Sequence, residues 1–206
     1  MADFSYAFTH DRDETGGSYV NGGNPKAATY VGSDLSKWKT TALTSLFQTF
    51  KEAAAMNSDL SGWNVAKVTT LENTFLGASK FAGMGLDSWD TSSVTTLAWT
   101  FTSAGEMNSD LSGWNVAKVT TLIRTFATSG ASKFTGTGLP TWNIAKVTNM
   151  DHTFMGGALA ITSCSKRQIA DAWKSNSAFA TWDTAWAADA CPPLNDATFK
   201  QASWGT

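Results

Sequence analysis

Charged residues are scarce in this chain. Only 16% of its 206 residues are Asp, Glu, Lys or Arg, whereas 42% are hydrophobic. This balance excludes a chain kept disordered by excess charge, because such chains are highly charged and poor in apolar residues. The 15 basic and 17 acidic residues nearly cancel, and neither sign forms a run that could follow a phosphate backbone. We therefore expect a folded protein that does not bind nucleic acid.

The sequence also lacks a long apolar run. No hydrophobic stretch approaches the roughly 18 residues that a membrane-spanning helix needs. The first 20 residues carry charges where a secretory signal would have an apolar core. We expect a soluble chain with no direct membrane span.

Cysteine is almost absent. Cys164 and Cys191 are the only two, and no further Cys or His lies near them at metal-binding spacing. The pair favours one disulfide over a zinc site, with buried free thiols as the alternative. A disulfide implies an oxidising compartment, which could be extracellular, at the cell surface or in the lumen of an organelle.

Repetition is what the chain has in abundance. The 16 residues MNSDLSGWNVAKVTTL occur at positions 56–71 and again at 107–122. In phase with them, five tryptophans recur at intervals of 25 to 28 residues: Trp38, Trp63, Trp89, Trp114 and Trp142. A period of this length is the signature of stacked structural repeats. We interpret the identical block as a packing unit and not as a site used twice.

Each unit repeats the same apolar positions around its tryptophan. A Leu lies three residues before it, and aliphatic residues, Leu or Met lie five and eight residues after it. A Thr and a Phe always follow, at eleven and twelve residues. The predicted repeat core consists of the five tryptophans with Phe50, Phe75, Phe101, Phe126 and Phe154. A unit of about 25 residues cannot bury these side chains alone, so neighbouring units must stack.

The order of these positions predicts an α/β repeat solenoid. Leu-x-x-Trp-x-Val matches the strand of a leucine-rich repeat, and VTTLENTF has the spacing of a helical turn. Stacked copies would form a right-handed coil with a narrow parallel sheet on one side and short helical or 3-10 segments on the other. We expect the hydroxyls of the invariant Thr to bond to backbone within the coil and not to bind ice.

Residues 33–155 resemble the BspA-like leucine-rich repeats found in surface proteins of bacteria, mycoplasmas and protists. The resemblance rests on DLSGWNVAKVTTLENTF in the second unit, SWDTSSVTTL in the third and TWNIAKVTNMDHTF in the fifth. It implies a non-catalytic solenoid that presents an extended face for adhesion or for contact with another protein.

The repeats divide the chain into three parts. Residues 33–157 contain the five repeats, and residues 1–32 and 158–206 fall outside the period. Because the end units of a stack need their apolar faces covered, we predict that both outer parts are caps.

The C-terminal cap is predicted to be helical. Ser165 has the residue type of a helix N-cap, and the helix after it would place Ile169 and Trp173 on one face. A second helix, with Trp182 and Trp186 on one face, would end before the pair of prolines at 192 and 193. The predicted disulfide would fasten the two helices together.

Residues suited to catalysis or metal binding are few. His10 lies in a charged stretch, and His152 occupies a position that varies between units, so a solvent-facing role is favoured over metal or pigment binding. Asp11, Asp13 and Glu14 lack the ligand spacing and the closing Glu of a calcium loop. The Asp that recurs in DLS is predicted to stabilise a turn. We expect no catalytic residues, no metal and no cofactor, and therefore no enzyme.

Small polar residues flank each tryptophan and would point outward from the predicted strands. The candidate binding face consists of Lys37, Lys39, Asn64, Ser88, Asp90, Asn115, Thr141 and Asn143. Such a face suits contact with a protein surface. We expect a protein–protein interaction or scaffold module whose partner is another protein or a multi-subunit complex. The alternative is a structural accessory subunit of a larger assembly, for example a membrane or photosynthetic complex of a protist or alga.

Overall fold

Turns make up most of the molecule, and helices are confined to short segments. The computed structural model describes residues 3–9, 24–32, 35–189 and Cys191. Its α-helices are α1, Ser163–Trp173, and α2, Ala180–Trp186. The 3-10 helices are Pro25–Thr29, Leu35–Lys37, Leu86–Ser88, Leu139–Thr141 and Ser177–Phe179. In the described part of the chain, no helix has the length and apolar character needed to cross a membrane.

The five repeat units lie side by side, but the predicted solenoid with a parallel sheet is wrong. The described residues contain no β-strand; single parallel bridges join each unit to the next through Ser45, Thr70, Thr96, Thr121 and Asn149. These bridges lie in the stretch that was expected to be helical. The stretch expected to be a strand begins with a tight turn, in which the tryptophan N–H donates to the carbonyl of the Leu three residues earlier, at 3.0 to 3.2 Å.

Within the described repeats, no sheet forms because backbone N–H groups donate alternately to the next unit and to carbonyls of their own unit. In the third unit, Leu97, Trp99 and Phe101 donate their N–H groups to carbonyls of the fourth unit at 2.8 to 3.3 Å. The residues between them turn back: the Thr100 N–H donates to the Leu97 carbonyl at 3.2 Å, within the same unit. Trp99 also has a φ of +58°, which lies outside the strand region. Units are therefore joined by stacked turns.

Two aromatic columns form the centre of the stack. The phenylalanine column consists of Phe50, Phe75, Phe101, Phe126 and Phe154, whose successive rings lie 5.6 to 5.8 Å apart and nearly parallel. The tryptophan column consists of buried Trp63, Trp89, Trp114 and Trp142, each of which donates its Nε1–H to a Leu carbonyl of the preceding unit. Trp38 departs from this pattern, since 41% of its surface is exposed.

The invariant threonines link neighbouring units. The Thr74 hydroxyl donates to the Leu46 carbonyl of the preceding unit at 2.9 Å and lies 2.7 Å from the Leu71 carbonyl of its own unit. All five members of this column are buried and bonded to backbone carbonyls: Thr49, Thr74, Thr100, Thr125 and Thr153. The prediction that these hydroxyls bond to backbone is confirmed.

Alternate units differ in one packing position. Met56 and Met107 are buried in the second and fourth units, whereas Phe81 and Phe134 fill that place in the third and fifth. Each of these two phenylalanines stacks on a ring of the phenylalanine column at 4.3 Å. This alternation explains why the identical 16-residue block recurs in every second unit.

Residues 3–9 form part of a further unit that precedes the five predicted repeats. Asp3 makes a parallel bridge to Ser45, and the Phe8 ring stacks on Phe50 at 5.2 Å. The stretch DFSYAF aligns with SLFQTF of the first unit, so that Phe4 corresponds to Leu46 and Phe8 to Phe50. The beginning of the predicted N-terminal cap therefore copies the repeat.

Helices α1 and α2 cover the other end of the stack. The side chain that caps α1 is Thr162, which accepts from the Ser165 N–H at 3.1 Å, so the predicted cap Ser165 is wrong by three residues. Trp173 is buried, stacks on Trp142 at 6.2 Å and donates its Nε1–H to the Leu139 carbonyl. Helix α1 thus supplies a fifth tryptophan to the column.

The predicted disulfide between Cys164 and Cys191 is present and joins the beginning of α1 to the chain beyond α2. Replacing both cysteines by serine should lower the free energy of unfolding by about 3 kcal/mol, because the cross-link restricts the unfolded chain over a separation of 27 residues. Urea denaturation measures the change. Reduced wild-type protein should match the double variant, and equal stability of oxidised wild type and variant would contradict the prediction.

Candidate functional site

The candidate binding face lies at the surface, but on turns and not on strands. All eight of its residues are exposed: Lys37, Lys39, Asn64, Ser88, Asp90, Asn115, Thr141 and Asn143. Turns of neighbouring units are in close contact beneath them, since the Thr141 hydroxyl oxygen lies 3.3 Å from the Ser112 carbonyl oxygen. At Gly62 a Cβ would lie 2.3 Å from the Ser36 carbonyl oxygen, so only glycine fits there. The structure therefore brings the predicted face together.

Most of these side chains also shape the backbone that carries them. The Asn64, Asn115 and Asn143 side-chain oxygens accept from the N–H group two residues later, at 3.1 to 3.2 Å. The Ser88 and Thr141 hydroxyls donate to carbonyls three residues earlier at 2.8 and 2.7 Å. Such local bonds define turns. The recurrence of these residues therefore follows from turn geometry and does not by itself indicate binding.

The recurring Asp of DLS has the same role. Asp59 and Asp110 each accept from the N–H group two residues later at 2.8 Å, which confirms the predicted turn-stabilising role. The corresponding Asp34 lies outside the described residues, as do His10, Asp11, Asp13 and Glu14.

Asp90 is the acidic member of the candidate binding face. The Ser92 hydroxyl and backbone N–H, and to a smaller extent the charge of Lys118, hold the pKa of Asp90 below its ordinary value. A folded-state pKa below the unfolded one adds stability above the unfolded pKa, and this contribution is lost as the pH falls through the folded pKa.

Carbon-detected NMR titration should give Asp90 a midpoint below the usual value of about 3.9. Ser92→Ala should raise that midpoint, because it removes one of the two Ser92 donors. Ser93→Ala is the matched control, since the Ser93 hydroxyl donates instead to the Ala66 carbonyl at 2.7 Å. A midpoint that both variants leave unchanged would show that the Ser92 contact is not the cause.

A second surface lies on the side of the stack where the bridges run. We call it the left-handed ridge, because each of its residues has a φ between +50° and +61°: Tyr6, Gln48, Asn73, Trp99, Arg124 and His152. Left-handed backbone is unfavourable for residues with a Cβ. Here it is held by bonds to the next unit, such as the Asn73 N–H to the Ala98 carbonyl at 3.0 Å.

The ridge presents one side chain from each unit, at least partly exposed and different every time. The Arg124 guanidinium lies 4.5 Å from the centre of the Trp99 ring, which is cation–π geometry. Tyr6 packs edge-on against Phe47 with ring centres 5.4 Å apart. The prediction that His152 faces solvent is confirmed. The ridge was not predicted from the sequence, although it is one of two adjacent positions that differ in every copy of the run VTTLENTF.

Neither surface carries a cluster of metal-binding side chains in the described part of the chain. Within the residues that the structure describes, no three His, Cys, Asp or Glu side chains lie close enough together to hold an ion. The carboxylates of Asp59, Asp90, Glu106 and Asp171 all have lowered pKa values, which arise from hydrogen bonds to neighbouring groups. These carboxylates are therefore charged hydrogen-bond acceptors near neutral pH.

Comparison with known proteins places the repeats in a family. No curated protein and no solved structure matches the chain. One family model matches residues 26–85 and residues 63–166, which together make up more than half of the chain and contain all five tryptophans of the repeats. The chain therefore belongs to DUF285, the family described as Mycoplasma protein of unknown function.

Proposed function

We propose that this protein is a non-catalytic protein–protein interaction module whose principal contact surface is the left-handed ridge. The observation that carries this proposal is the contrast between the ridge and the rest of the repeat. The invariant Leu, Trp, Thr and Phe positions are almost all buried, and the recurring Asp and Asn side chains hold turns. The ridge, in contrast, presents partly exposed side chains that differ in every unit, and the position just before it does so in four of the five units, at Phe47, Glu72, Ile123 and Asp151.

The residue types on the ridge support a role in binding. Trp, Tyr and Arg are the residues that most often dominate the energy of protein–protein interfaces. Trp99 and Arg124 lie next to each other in the middle of the stack, where Arg124 is already oriented over the ring. An ordered pair of this kind loses little conformational entropy when a partner binds. We place the centre of the contact at these two residues and keep the candidate binding face as a second possible contact.

The location and the finer family assignment belong to the same proposal. The disulfide favours an oxidising compartment, and the resemblance to BspA-like surface repeats favours the cell surface, the extracellular space or the lumen of an organelle. The partner would be another protein or a multi-subunit complex, and the module would need no cofactor.

A structural accessory subunit is the second candidate function. Exposed apolar side chains around the first unit favour it, since Val31 and Trp38 have 62% and 41% of their surfaces exposed. Permanent interfaces are richer in apolar residues than transient ones. Copurification in a fixed stoichiometry with a membrane complex would support this candidate, whereas a monomer that binds reversibly supports the interaction module.

Affinity capture with two matched variants tests the proposal. The bait is the whole chain, incubated with extract of the organism that encodes it, and captured proteins are identified by mass spectrometry. Trp99→Ala combined with Arg124→Ala should weaken capture by at least about 30-fold, the effect of losing a typical hot spot. The triple variant Asn64→Arg, Asp90→Arg, Asn115→Arg should retain the same partner.

The two variants also identify the error if the proposal fails. Loss of the partner in the triple variant alone would show that the candidate binding face makes the contact and that the ridge does not. Full capture by both variants would contradict both assignments. Circular dichroism and melting temperature must match wild type in each case, so that lost binding does not reflect lost folding.

A further inference from the structure

The edge of the fifth unit has a row of unpaired backbone donors. In each of the first four units, N–H groups at alternate positions donate to the next unit, and the three that run from the Leu to the Phe of the repeat do so at 2.8 to 3.3 Å. These donors are Leu46, Gln48, Phe50, Leu71, Asn73, Phe75, Leu97, Trp99, Phe101, Leu122, Arg124 and Phe126. The equivalent N–H groups of the fifth unit belong to Met150, His152 and Phe154, and within the described residues they have no acceptor.

The C-terminal helices cover the apolar centre of this end and leave its edge open. Trp173 of α1 lies over Trp142, and Trp186 of α2 lies 4.6 Å from the ring of Phe154. Beside α2, a groove of about 260 Å³ is lined by Met150, Asp151, His152, Met155, Ala178 and Trp182. Two of the three unpaired donors therefore belong to residues that line this groove.

We infer that this groove binds a peptide segment of another protein, which adds to the edge as a further unit would. Elsewhere in the stack, such donors are satisfied by a segment that presents a carbonyl at every second residue. A bound peptide would continue the same pattern of backbone hydrogen bonds at the open edge. The inference specifies one contact of the proposed interaction module and shares its assumption that the partner is a protein.

The structure also defines which peptide fits. The residue at the ridge position must adopt a positive φ, so glycine is favoured there and proline cannot take that conformation. Positions that carry Leu and Phe in the repeat must be small, because Trp182 and Trp186 already occupy the space beside Phe154. A second folded copy fits this edge less well than a peptide, because α1 and α2 of this chain stand between the edge and the end of the other copy's stack.

Hydrogen exchange of the free protein, read by NMR, tests whether the edge is open. The amides of Met150, His152 and Phe154 should exchange at least 100-fold faster than those of Leu122, Arg124 and Phe126. Slow exchange of all three at every concentration would show that the chain itself covers the edge. Protection that grows with concentration would show that a second copy does. Either result would overturn the inference.

Binding is tested with three synthetic peptides based on residues 118–128, KVTTLIRTFAT. Each carries Leu122→Ala and Phe126→Ala to make the inward side chains small. One keeps Arg124, one has Arg124→Gly and one has Arg124→Pro. The Gly peptide should bind roughly fivefold more tightly than the Arg peptide and should slow the three amides, whereas the Pro peptide should not bind. No protection by any peptide, or equal binding of all three, would overturn the inference.

A variant pair separates this contact from the ridge. Met155 is 39% exposed at the groove, and Met155→Arg should weaken binding of the Gly peptide at least tenfold without affecting folding. The Trp99→Ala, Arg124→Ala double variant should bind that peptide as wild type does. Unchanged binding by Met155→Arg would overturn the groove assignment, and capture through the ridge would then still stand.

Discussion

Trp89→Ala is expected to lower the free energy of unfolding by about 4 kcal/mol, within the range for removing a buried Trp or Phe. Trp89 is 2% exposed and stacks on Trp114 at 6.3 Å. Its Nε1–H also donates to the Leu60 carbonyl at 3.2 Å, and that bond disappears with the ring. A small side chain at this point would leave a cavity between the units on either side. Equilibrium urea denaturation measures the loss.

Trp38→Ala is the matched control, because it changes the same position of the repeat. Trp38 is 41% exposed and lies at the end of the stack, where its ring contacts Phe4 and Phe8. Trp38→Ala should lower the free energy of unfolding by less than about 1.5 kcal/mol, because much of the ring already contacts water. Equal losses for the two variants would contradict the finding that the tryptophan column begins in the second unit.

Gly85→Ala should destabilise the protein by about 3 kcal/mol through its backbone alone. Gly85 has a φ of +88°, and a Cβ there would lie 2.1 Å from the Ser61 nitrogen and 2.6 Å from the Ser61 Cα. Both atoms belong to the backbone of the preceding unit, so two units would have to separate. The added side chain is a single methyl group, and the change removes no existing contact.

Gly130→Ala provides the control for this substitution. No atom lies within 4 Å of a Cβ built at Gly130, and its φ is not positive. Its free energy of unfolding should stay within about 0.5 kcal/mol of wild type. In a thermal melt, Gly85→Ala should lose about 10 °C, at 2 to 4 °C per kcal/mol for a chain of this size. Similar melting temperatures for the two variants would contradict the close contact between units.

The stack and its core could be predicted because inward positions tolerate little change. Tryptophan and phenylalanine recur with the period because each ring packs on its copy in the next unit. The disulfide was predictable from two cysteines with no other partner. The sheet was wrongly predicted because Leu-x-x-Trp-x-Val, which matches the strand of a leucine-rich repeat, begins with a tight turn here. The helical segments were wrongly predicted because apolar spacings of three and four arise from consecutive turns as well as from a helix. Only the left-handed φ of residues such as Asn73 distinguishes the two, and apolar spacing does not report it.

The surface was harder to predict because recurrence has more than one cause. Asn64 recurs because its side chain closes a turn. In the sequence, a residue that is repeated to close a turn looks the same as one that is repeated to contact a partner. In the identical block, Asn57 accepts from the Ala82 N–H of the next unit at 3.0 Å, and the Ser58 hydroxyl donates to the Gly32 carbonyl of the preceding one. The block is therefore repeated for packing. The ridge was not predicted because its side chains differ in every unit, and a varying position gives no recurring residue type that would indicate binding.

Amide hydrogen exchange across the third unit tests the central claim most directly, namely that stacked turns join the units and leave the ridge side chains outside. The N–H groups of Leu97, Trp99 and Phe101 donate to the next unit, whereas the Ala98 N–H donates only to the Thr96 hydroxyl at 3.2 Å. We predict slow exchange at the first three residues and faster exchange at Ala98. Uniformly slow exchange along residues 96–101, as in a helix, would contradict the account, and so would fast exchange at Trp99.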